Sequence, residues 1–385
     1  MTGLPPVIGH EDVRAALGAA VARADLPGSI LLHGPVGVGK QRIGLWLAQR
    51  LVCQQATNAE PCDRCHSCML ASRLEHPDIH WFFPLPRPKS GGSSPEKLAE
   101  VLEEARAAEI AERRATPWRP TEPTELEGIY LAQVLALRRM AMRRPAMGKR
   151  QVFLIGDAEA LATQEASQEA ANALLKLLEE PPADTVFVIT ARDLDELLPT
   201  IRSRMLPVRI RPLDDETVRR VLQEHGQAAP EHAAVAARLA QGSIGRALAF
   251  LPADGAPGPL EIARRHACTL LEAALDPKPT DRLAAALSTS PAGARAGFVD
   301  TLDFLAIWVR DLAAVSEGAP ELVVNLDAVE HLNKLAFRVP RSGQAAADAL
   351  RAIDLTRGLT RSNINPQLAL AALLREIGEA LVPPN

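Results

Sequence analysis

The sequence predicts an α/β domain of the P-loop type followed by helical domains. The apolar run 30–32 leads into a glycine-rich segment at 34–40 and then into a helical pattern. Two continuous apolar runs, 152–155 and 186–189, are typical of strands buried on both faces of a parallel sheet. Beyond about residue 260 the pattern is almost entirely helical. Since 385 residues exceed one ordinary core, we expect two or three domains.

The composition is that of a globular protein, with 47% apolar and 23% charged residues. Aromatic residues make up only 3%, so the cores must be aliphatic and rich in alanine. The net charge of −4 gives no bulk attraction to nucleic acid. The first residues lack the features of a signal peptide, and no apolar run approaches the roughly 20 residues of a membrane span. We therefore expect a cytoplasmic protein without a membrane partner.

The glycine-rich segment has the layout of a phosphate-binding loop. Gly34, Gly37 and Gly39 allow backbone N–H groups to surround phosphate oxygens, and Lys40 would reach the outer phosphates. The pattern requires Ser or Thr next, because that hydroxyl binds magnesium. The residue there is Gln41. We expect the loop to keep its phosphate cradle and to lose its metal ligand.

Acidic residues follow the apolar run 152–155, where α/β sheets bind ligands. Asp157 can hold magnesium through water and Glu159 can orient an attacking water, or Asp157 can cap the next helix. Ala158 separates the two acids, and we expect it to turn Glu159 to the wrong side of the chain. The catalytic interpretation is weakened, and both interpretations stay open.

Four cysteines lie close together in the sequence: Cys53, Cys62, Cys65 and Cys68. Two overlapping C-x-x-C turns and one upstream thiol predict a tetrahedral, structural zinc site in a reducing compartment. Incidental reduced cysteines and an iron–sulfur cluster are the alternatives. We expect His66 to be a solvated loop residue and Cys268 to belong to a helical core.

Three further segments carry expectations. Residues 7–24 read as a helix. Residues 84–127 read as an insertion, a mobile surface excursion with one solvated helix at 96–114 between proline-rich ends. The predicted helix 129–144 ends in arginines that can face DNA or can satisfy the helix dipole and solvent. These basic residues, which continue to Arg150, are Arg138, Arg139, Arg143, Arg144 and Lys149.

Residues 201–205 place two arginines around a serine, in Ile-Arg-Ser-Arg-Met. The segment reads either as a solvated turn or as an arginine finger that supplies charge to phosphates bound by a neighbouring chain.

This run, the segment 172–182 (Asn-Ala-Leu-Leu-Lys-Leu-Leu-Glu-Glu-Pro-Pro) and Ile8-Gly9-His10 resemble the AAA+ subunits of DNA polymerase clamp loaders. Bacterial members of that family carry a Cys₄ zinc knuckle in the P-loop domain, with the spacing found here. The resemblance covers most of residues 5–250 apart from the insertion. It implies an AAA+ domain at 1–210 with a zinc module at 53–68, a helical lid at 211–254 and an all-α collar at 259–385.

Within the family, the resemblance implies a stator that does not hydrolyse ATP. Such a subunit sits in a pentameric ring with delta and gamma/tau subunits, which loads the sliding clamp onto primed DNA for the polymerase holoenzyme. Gln41 and the altered acid motif agree with a degenerate site, and ATP binding without turnover is compatible with the retained glycines. The resemblance assigns Arg204 to a neighbour's ATP site as a finger in trans. For Arg246 the resemblance leaves two interpretations, a vestige of a nucleotide contact or a packing residue. The chain departs from the family at Met205, where cysteine is usual.

Two other functions fit parts of the sequence. An ATP-hydrolysing gamma/tau-like subunit would have to tolerate Gln41, which removes electrostatic stabilisation from phosphoryl transfer. A stand-alone AAA+ factor for DNA repair or recombination would not require the zinc knuckle and the helix motif to occur together. We expect a stator without intrinsic ATPase activity.

Overall fold

The chain forms two compact units. Among the residues that the structure describes, one consists of those up to 218 together with 241–245, and the other of residues 219–240 and those from 246 onward. The computed structural model describes residues 3–56, 60–86, 88, 95–118, 127–161, 165–195, 197–252, 255–288, 295–339, 343–359 and 365–382.

The first unit is built on a parallel sheet, as the apolar runs predicted. Its strands are β1 (Ser29–His33), β2 (Ile79–Phe82), β5 (Gln151–Ile155), β6 (Thr185–Ala191) and β7 (Leu206–Arg209), and a separate antiparallel pair consists of β3 (Leu85–Pro86) and β4 (Glu127–Gly128). The sheet order is β2-β5-β6-β1-β7. In register, Leu31 on β1 lies beside Ile189 on β6. The α/β prediction is confirmed.

Seven helices accompany these strands in the described part of the first unit. They are α1 (Glu11–Ala22), α2 (Lys40–Val52), α3 (His66–Ser72), α4 (Pro95–Ala115), α5 (Leu131–Ala141), α6 (Glu165–Glu179) and α7 (Pro199–Arg202). A 3₁₀ turn, Ala158–Leu161, follows β5.

Helices cover both faces of the sheet. Because successive strand residues point to opposite faces, Ile30 and Leu32 pack on one side with Leu47 of α2. Leu31 packs on the other side with Leu174 of α6. These side chains are fully buried, and their burial is the main favourable contribution to folding of this unit. The two layers of helices hold the carboxyl ends of β1 and β5 in place.

The first helix is shorter than predicted. It begins at Glu11 rather than at residue 7, because Gly9 and His10 have left-handed backbone conformations, with φ of 69° and 57°. The turn brings the His10 ring to the loop after β1, where Nε2 donates a hydrogen bond to the carbonyl oxygen of Val38, 2.9 Å away.

The expectation of a solvated helix in the insertion is wrong for α4. Leu102 is only 2% exposed, and the helix packs against the face of the sheet that carries Ile30. Arg106 donates a hydrogen bond to the backbone carbonyl of Trp81 at 3.1 Å. Pairing of β3 with β4 joins the two ends of the insertion. Residues 87, 89–94 and 119–126 of the insertion lie outside the described residues.

The second unit is helical throughout its described part, as predicted. Its helices are α8 (Asp215–Glu224), α9 (Pro230–Leu239), α10 (Ile244–Leu248), α11 (Pro259–Leu275), α12 (Pro279–Ser288), α13 (Arg295–Ser316), α14 (Val329–Ala336), α15 (Gly343–Leu359) and α16 (Pro366–Leu381), with 3₁₀ turns at Pro320–Leu322 and Leu326–Ala328. The first residues of α8 and of α10 belong to the other unit. Asp214 caps α8 by accepting a hydrogen bond from the N–H of Thr217 at 2.7 Å.

Buried polar side chains fix the segment before α14 to its neighbours. Arg264 of α11 is buried and donates to Asn325 at 3.0 Å and to Asp327 at 2.8 Å. Asp311 of α13 is also buried and accepts hydrogen bonds from the backbone of Val324 and Asn325. Since a buried charge requires partners, these contacts specify one position of α14 against α11.

None of the helices in the described ranges combines the length and the apolar character that a membrane crossing requires.

Candidate functional site

The loop after β1 has the backbone of a phosphate cradle. Gly37 and Gly39 have φ of 72° and 101°, which non-glycine residues rarely adopt. The loop ends at the N-terminus of α2, where free N–H groups and the helix dipole favour an anion. The N–H of Gly245 also donates to the carbonyl oxygen of Gly37, although at 3.4 Å the bond is long. The loop therefore keeps the shape that the sequence predicted.

Lys40 lies at the first position of α2 and turns back to its own loop. Its Nζ donates to the carbonyl oxygens of Gly34 and Pro35, both at 2.8 Å. Burial lowers the pKa of Lys40, whereas the charges of Asp157 and Glu159 raise it. The lysine is thus held by its own loop, and its charge is stabilised by the acids after β5.

Gln41 makes hydrogen bonds with both ends of its amide. Its Nε2 donates to Oδ2 of Asp157 at 2.8 Å. Its Oε1 accepts from the indole N–H of Trp81 at 3.1 Å and from the guanidinium of Arg113 at 3.3 Å. An amide N–H₂ cannot bind a cation, and here it takes up a carboxylate oxygen that would face a metal. The Gln41 amide therefore lies beside Asp157, where an active P-loop site would hold magnesium.

Gly156 makes room for this arrangement. A Cβ at residue 156 would lie 2.7 Å from Nε2 of Gln41, closer than packing allows. Asp157 follows with φ of 48° and donates its N–H to Oγ1 of Thr190 at 3.0 Å. The side-chain hydrogen bond of Asp157 goes to Gln41, and the next element is a 3₁₀ turn. The helix-cap interpretation of Asp157 is therefore not supported.

Glu159 is close enough to Lys40 and Asp157 for their charges to affect its pKa, which does not favour the expectation that Ala158 turns it away from the site. Burial, and next the charge of Asp157, raise the pKa of Glu159 to about 7. Its Oε2 is buried and has no hydrogen-bond partner among the described residues. The backbone that leads to Glu159 is not extended: Asp157 is left-handed, and a 3₁₀ turn begins at Ala158.

Two residues of the site were not recognised in the sequence. Trp81 comes from β2, and Arg113 comes from the insertion helix α4. The guanidinium carbon of Arg113 lies 4.1 Å from the centre of the Phe83 ring and 4.8 Å from that of Trp81. Glu109, four residues earlier, accepts from Arg113 Nε at 2.7 Å. The i, i+4 spacing of Glu109 and Arg113 was the one feature of the sequence that could have indicated an ordered arginine on this helix.

Arg204 follows α7 and contacts elements of its own unit. Its Nη2 lies 2.6 Å from Oε1 of Glu179, the last residue of α6, and its Nη1 donates to the carbonyl oxygen of Thr200 at 2.7 Å. Its side chain is 34% exposed. Arg204 is thus an accessible cation with a single carboxylate partner in the described part of the chain.

Arg246 takes part in packing within the second unit. Its Nη1 lies 3.0 Å from Oδ1 of Asp300 on α13, and its guanidinium carbon lies 5.7 Å from the centre of the Phe304 ring. Of the two interpretations from the sequence, these contacts favour a packing residue.

The four clustered cysteines meet in space, with all sulfur atoms within 4.8 Å of one another. The Sγ atoms of Cys53 and Cys65 are 4.0 Å apart, and those of Cys62 and Cys68 are 3.9 Å apart. A tetrahedron with zinc–sulfur bonds of about 2.3 Å has edges of about 3.8 Å. A disulfide requires about 2.05 Å. The cluster can therefore hold a metal ion.

Backbone N–H groups point at the sulfur atoms, as thiolate ligands require. Cys62 N lies 3.4 Å from the sulfur of Cys53, and Cys65 N lies 3.3 Å from that of Cys62. A hydrogen bond from the backbone of Arg64 is the main cause that lowers the pKa of Cys62 to about 6, whereas burial raises the pKa of Cys53 and of Cys68. His66 is exposed, as predicted, but it opens α3 rather than lying in a loop.

The module that carries the cysteines is attached to α2. Glu60 accepts hydrogen bonds from the Trp46 indole and from Arg14, both at 2.7 Å. Gln49 donates to Asp63 at 2.9 Å. These contacts hold the cysteines on the same helix that begins at Lys40.

The basic segment that begins in the last turn of α5 is exposed at Arg138, Arg139, Arg143 and Arg144. Asp78 fixes the turn that follows, accepting from the N–H groups of Met147 at 2.9 Å and Gly148 at 2.7 Å. The first two arginines lie in the last turn of α5, where they favour the helix dipole. A contact with DNA stays a prediction.

Replacing Glu159 by Gln should stabilise the protein at about pH 8 and stabilise it much less at about pH 5. The pKa of Glu159 is raised from 4.5 to about 7 in the folded chain. As the pH rises through this interval, the unfolded chain loses its proton first, so the wild type loses stability that the neutral amide does not lose. We expect a gain of about 1–2 kcal/mol at the higher pH, since partial exposure reduces the full effect.

Thermal unfolding at both pH values measures this difference, with the exposed Glu180→Gln as the matched control. Equal stabilisation by Glu159→Gln at the two pH values would contradict the placement of the carboxyl group.

Comparison with known proteins gives the family. The family model described as "DNA polymerase III, delta subunit" matches residues 9–214, more than half of the chain. The delta' subunit of DNA polymerase III from Pseudomonas aeruginosa is 32% identical over 183 residues, which cover 47% of this chain and 42% of that protein. The delta' subunit from Escherichia coli is 27% identical over 357 residues, which cover 92% and 90% of the two chains.

The tau subunit of DNA polymerase III from Escherichia coli is 27% identical over 272 residues, which cover 69% of this chain and 35% of tau. The chain thus spans less than half the length of the Pseudomonas delta' and Escherichia coli tau subunits. Because the family model matches more than half of it, the chain belongs to the DNA polymerase III delta subunit family, which confirms the resemblance to clamp-loader subunits.

Proposed function

We propose that the chain is the delta-prime-type stator of a DNA polymerase III clamp loader and does not hydrolyse ATP itself. The hydrogen bond of 2.8 Å from Gln41 to Asp157 is the observation that carries this proposal. In an active P-loop site a hydroxyl and an acid hold the magnesium ion that neutralises the phosphates. Here an amide replaces the hydroxyl and engages the acid.

The loss of magnesium affects hydrolysis more than binding. Phosphoryl transfer depends on electrostatic stabilisation by the metal, whereas the cradle holds phosphates through backbone N–H groups and Lys40. The left-handed conformations of Gly37 and Gly39 support an intact cradle. ATP is therefore bound without turnover, with Gly34, Gly37, Gly39 and Lys40 as its contacts.

An ATP-hydrolysing gamma/tau-like subunit is the second candidate. The raised pKa of Glu159, which suits a general base, and the similarity to tau favour it. It would require Gln41 to release Asp157 when magnesium enters. Three partners hold the Gln41 amide, and this weighs against such release.

Arg204 acts in this proposal on the ATP site of the adjacent ATPase subunit. Its guanidinium is partly exposed and is held by Glu179. The phosphates of a nucleotide accept bidentate hydrogen bonds from a guanidinium as a carboxylate does, but they carry more negative charge, so transfer of Arg204 from Glu179 to a neighbour's nucleotide is favourable. A finger of this kind contributes about 10³–10⁵ to the rate at the site it serves.

Zinc in the four-cysteine cluster would be structural. Four thiolates complete a tetrahedral shell and leave no open position for chemistry, and the observed sulfur separations suit zinc. The Glu60 and Gln49 contacts would then transmit the stability of the module to α2.

The implied partners are a delta subunit and gamma/tau subunits in a pentameric ring, with primed DNA and the sliding clamp reached through the complex. In this arrangement residues 1–210 form the AAA+ domain, 211–254 the lid and 259–385 the collar that associates with its counterparts. Similarity to the delta' and tau subunits supports the choice of partners.

Replacing Arg204 by Ala should leave ring assembly intact and lower the DNA-stimulated ATPase activity of the reconstituted ring. The change removes the finger from one site, and a partly exposed ion pair contributes little to stability. Arg202→Ala is the matched control, because Arg202 is a neighbouring exposed arginine that pairs with Asp195 at 2.8 Å. A ring that assembles with Arg204→Ala and hydrolyses ATP at the wild-type rate would refute the finger.

Replacing Cys65 by Ala should remove about one zinc ion per chain and loosen the segment around α3. Cys65 is buried, and its sulfur accepts the N–H of Cys68. Elemental analysis after a mild chelator wash gives the metal content, and protease digestion reports on the segment. Iron in the wild type, or the same zinc content in both proteins, would rule out this site.

A further inference from the structure

A second group of metal-binding side chains lies in the second unit, away from the P-loop and the four cysteines. Cys268 and Glu272 of α11 and His331 of α14 have ligand atoms within 4.8 Å of one another. Cys268 was predicted to be a core residue, but it is only partly buried. The three side chains supply a thiol, a carboxylate and an imidazole.

The sequence places these side chains together by helical spacing. Cys268 and Glu272 are four residues apart and share one face of α11. One turn before Cys268, Arg264 binds Asp327, which lies four residues before His331. The ion pair between the buried Arg264 and the more exposed Asp327 thus sets the register that brings His331 opposite Cys268 and Glu272. The register is therefore fixed by a contact outside the three side chains themselves.

His331 lies against Glu272, with its Nε2 atom 2.8 Å from Oε1. The contact is an ion pair when the imidazole is protonated, and Nε2 is buried from solvent. In the neutral imidazole the same nitrogen can instead give its lone pair to a metal ion. The nitrogen lies among the other two ligand atoms.

We propose that Cys268, Glu272 and His331 form a site for a transition-metal ion, with Zn²⁺ as the ion that suits them. Zinc accepts sulfur, imidazole nitrogen and carboxylate oxygen, and three protein ligands leave a fourth position for water. Bonds of about 2.0–2.1 Å require a separation of about 3.3 Å between nitrogen and oxygen ligands. The side chains of His331 and Glu272 are 39% and 44% exposed, so small rotations provide this separation.

The neighbouring charges permit a cation. Arg264, one turn away from Cys268 on the same helix, is already bound by Glu261 and Asp327. A metal at the site would join α11 to α14 and stabilise the unit by mass action. Because it has three ligands and is partly exposed, the site must bind zinc more weakly than the four-cysteine cluster. This inference is independent of the proposed function.

Zinc uptake by the full chain tests the proposal. After dialysis against micromolar Zn²⁺ the wild type should hold about two ions per chain, and about one after a mild chelator wash. His331→Ala should hold about one before and after the wash, whereas the matched control His232→Ala, an exposed helix residue, should behave like the wild type. One ion in the unwashed wild type, or two in His331→Ala, would overturn the proposal.

Alkylation of Cys268 gives a residue-specific readout that does not depend on total metal. Zn²⁺ should slow the reaction of Cys268 with iodoacetamide in the wild type, followed by mass spectrometry, and should not slow it in His331→Ala. Circular dichroism spectra of the two proteins establish that both are folded. Equal protection of Cys268 by Zn²⁺ in both proteins, or protection in neither, would show that His331 and Cys268 do not share an ion.

Discussion

The hydrogen bond between Gln41 and Asp157 is the constraint on which the first unit's site depends. It joins the first turn of α2 to the carboxyl end of β5, the two elements between which a P-loop enzyme places its magnesium ion. Gly156 leaves space for the amide, and Trp81 and Arg113 satisfy its oxygen. A group held by three hydrogen-bonding partners costs more to move than a free side chain. The substitution at residue 41 is therefore part of a supported arrangement rather than an isolated loss.

The insertion belongs to that arrangement. Helix α4 buries Leu102 and carries Arg113 to Gln41 across the rings of Phe83 and Trp81. Pairing of β3 with β4 closes the loop of chain that contains it. The insertion therefore lines one side of the site. A shift of α4 would act on the phosphate loop through the Arg113 guanidinium, which contacts Gln41.

The sequence was sufficient for features that depend on local pattern. Strands β1, β5 and β6, the glycine loop and the proximity of the four cysteines all follow from runs or spacings of a few residues. The packing of α4, the orientation of Glu159 and the Gln41 contacts depend on residues far apart in the chain. Charged, alanine-rich helices are usually solvated, so the burial of one face of α4 could not be predicted from its composition. Likewise, residue order does not reveal the left-handed conformation of Asp157, and so it did not indicate that the charges of Lys40 and Asp157 reach Glu159.

Steady-state ATP hydrolysis by the purified chain, compared with its Lys40→Ala variant, tests the central claim most directly. If the Gln41 amide has replaced the metal ligand, the wild type should show only background hydrolysis, with the same rate in the variant. Turnover at the rate of a motor subunit, abolished by Lys40→Ala, would show that magnesium enters the site and that the chain is itself an ATPase.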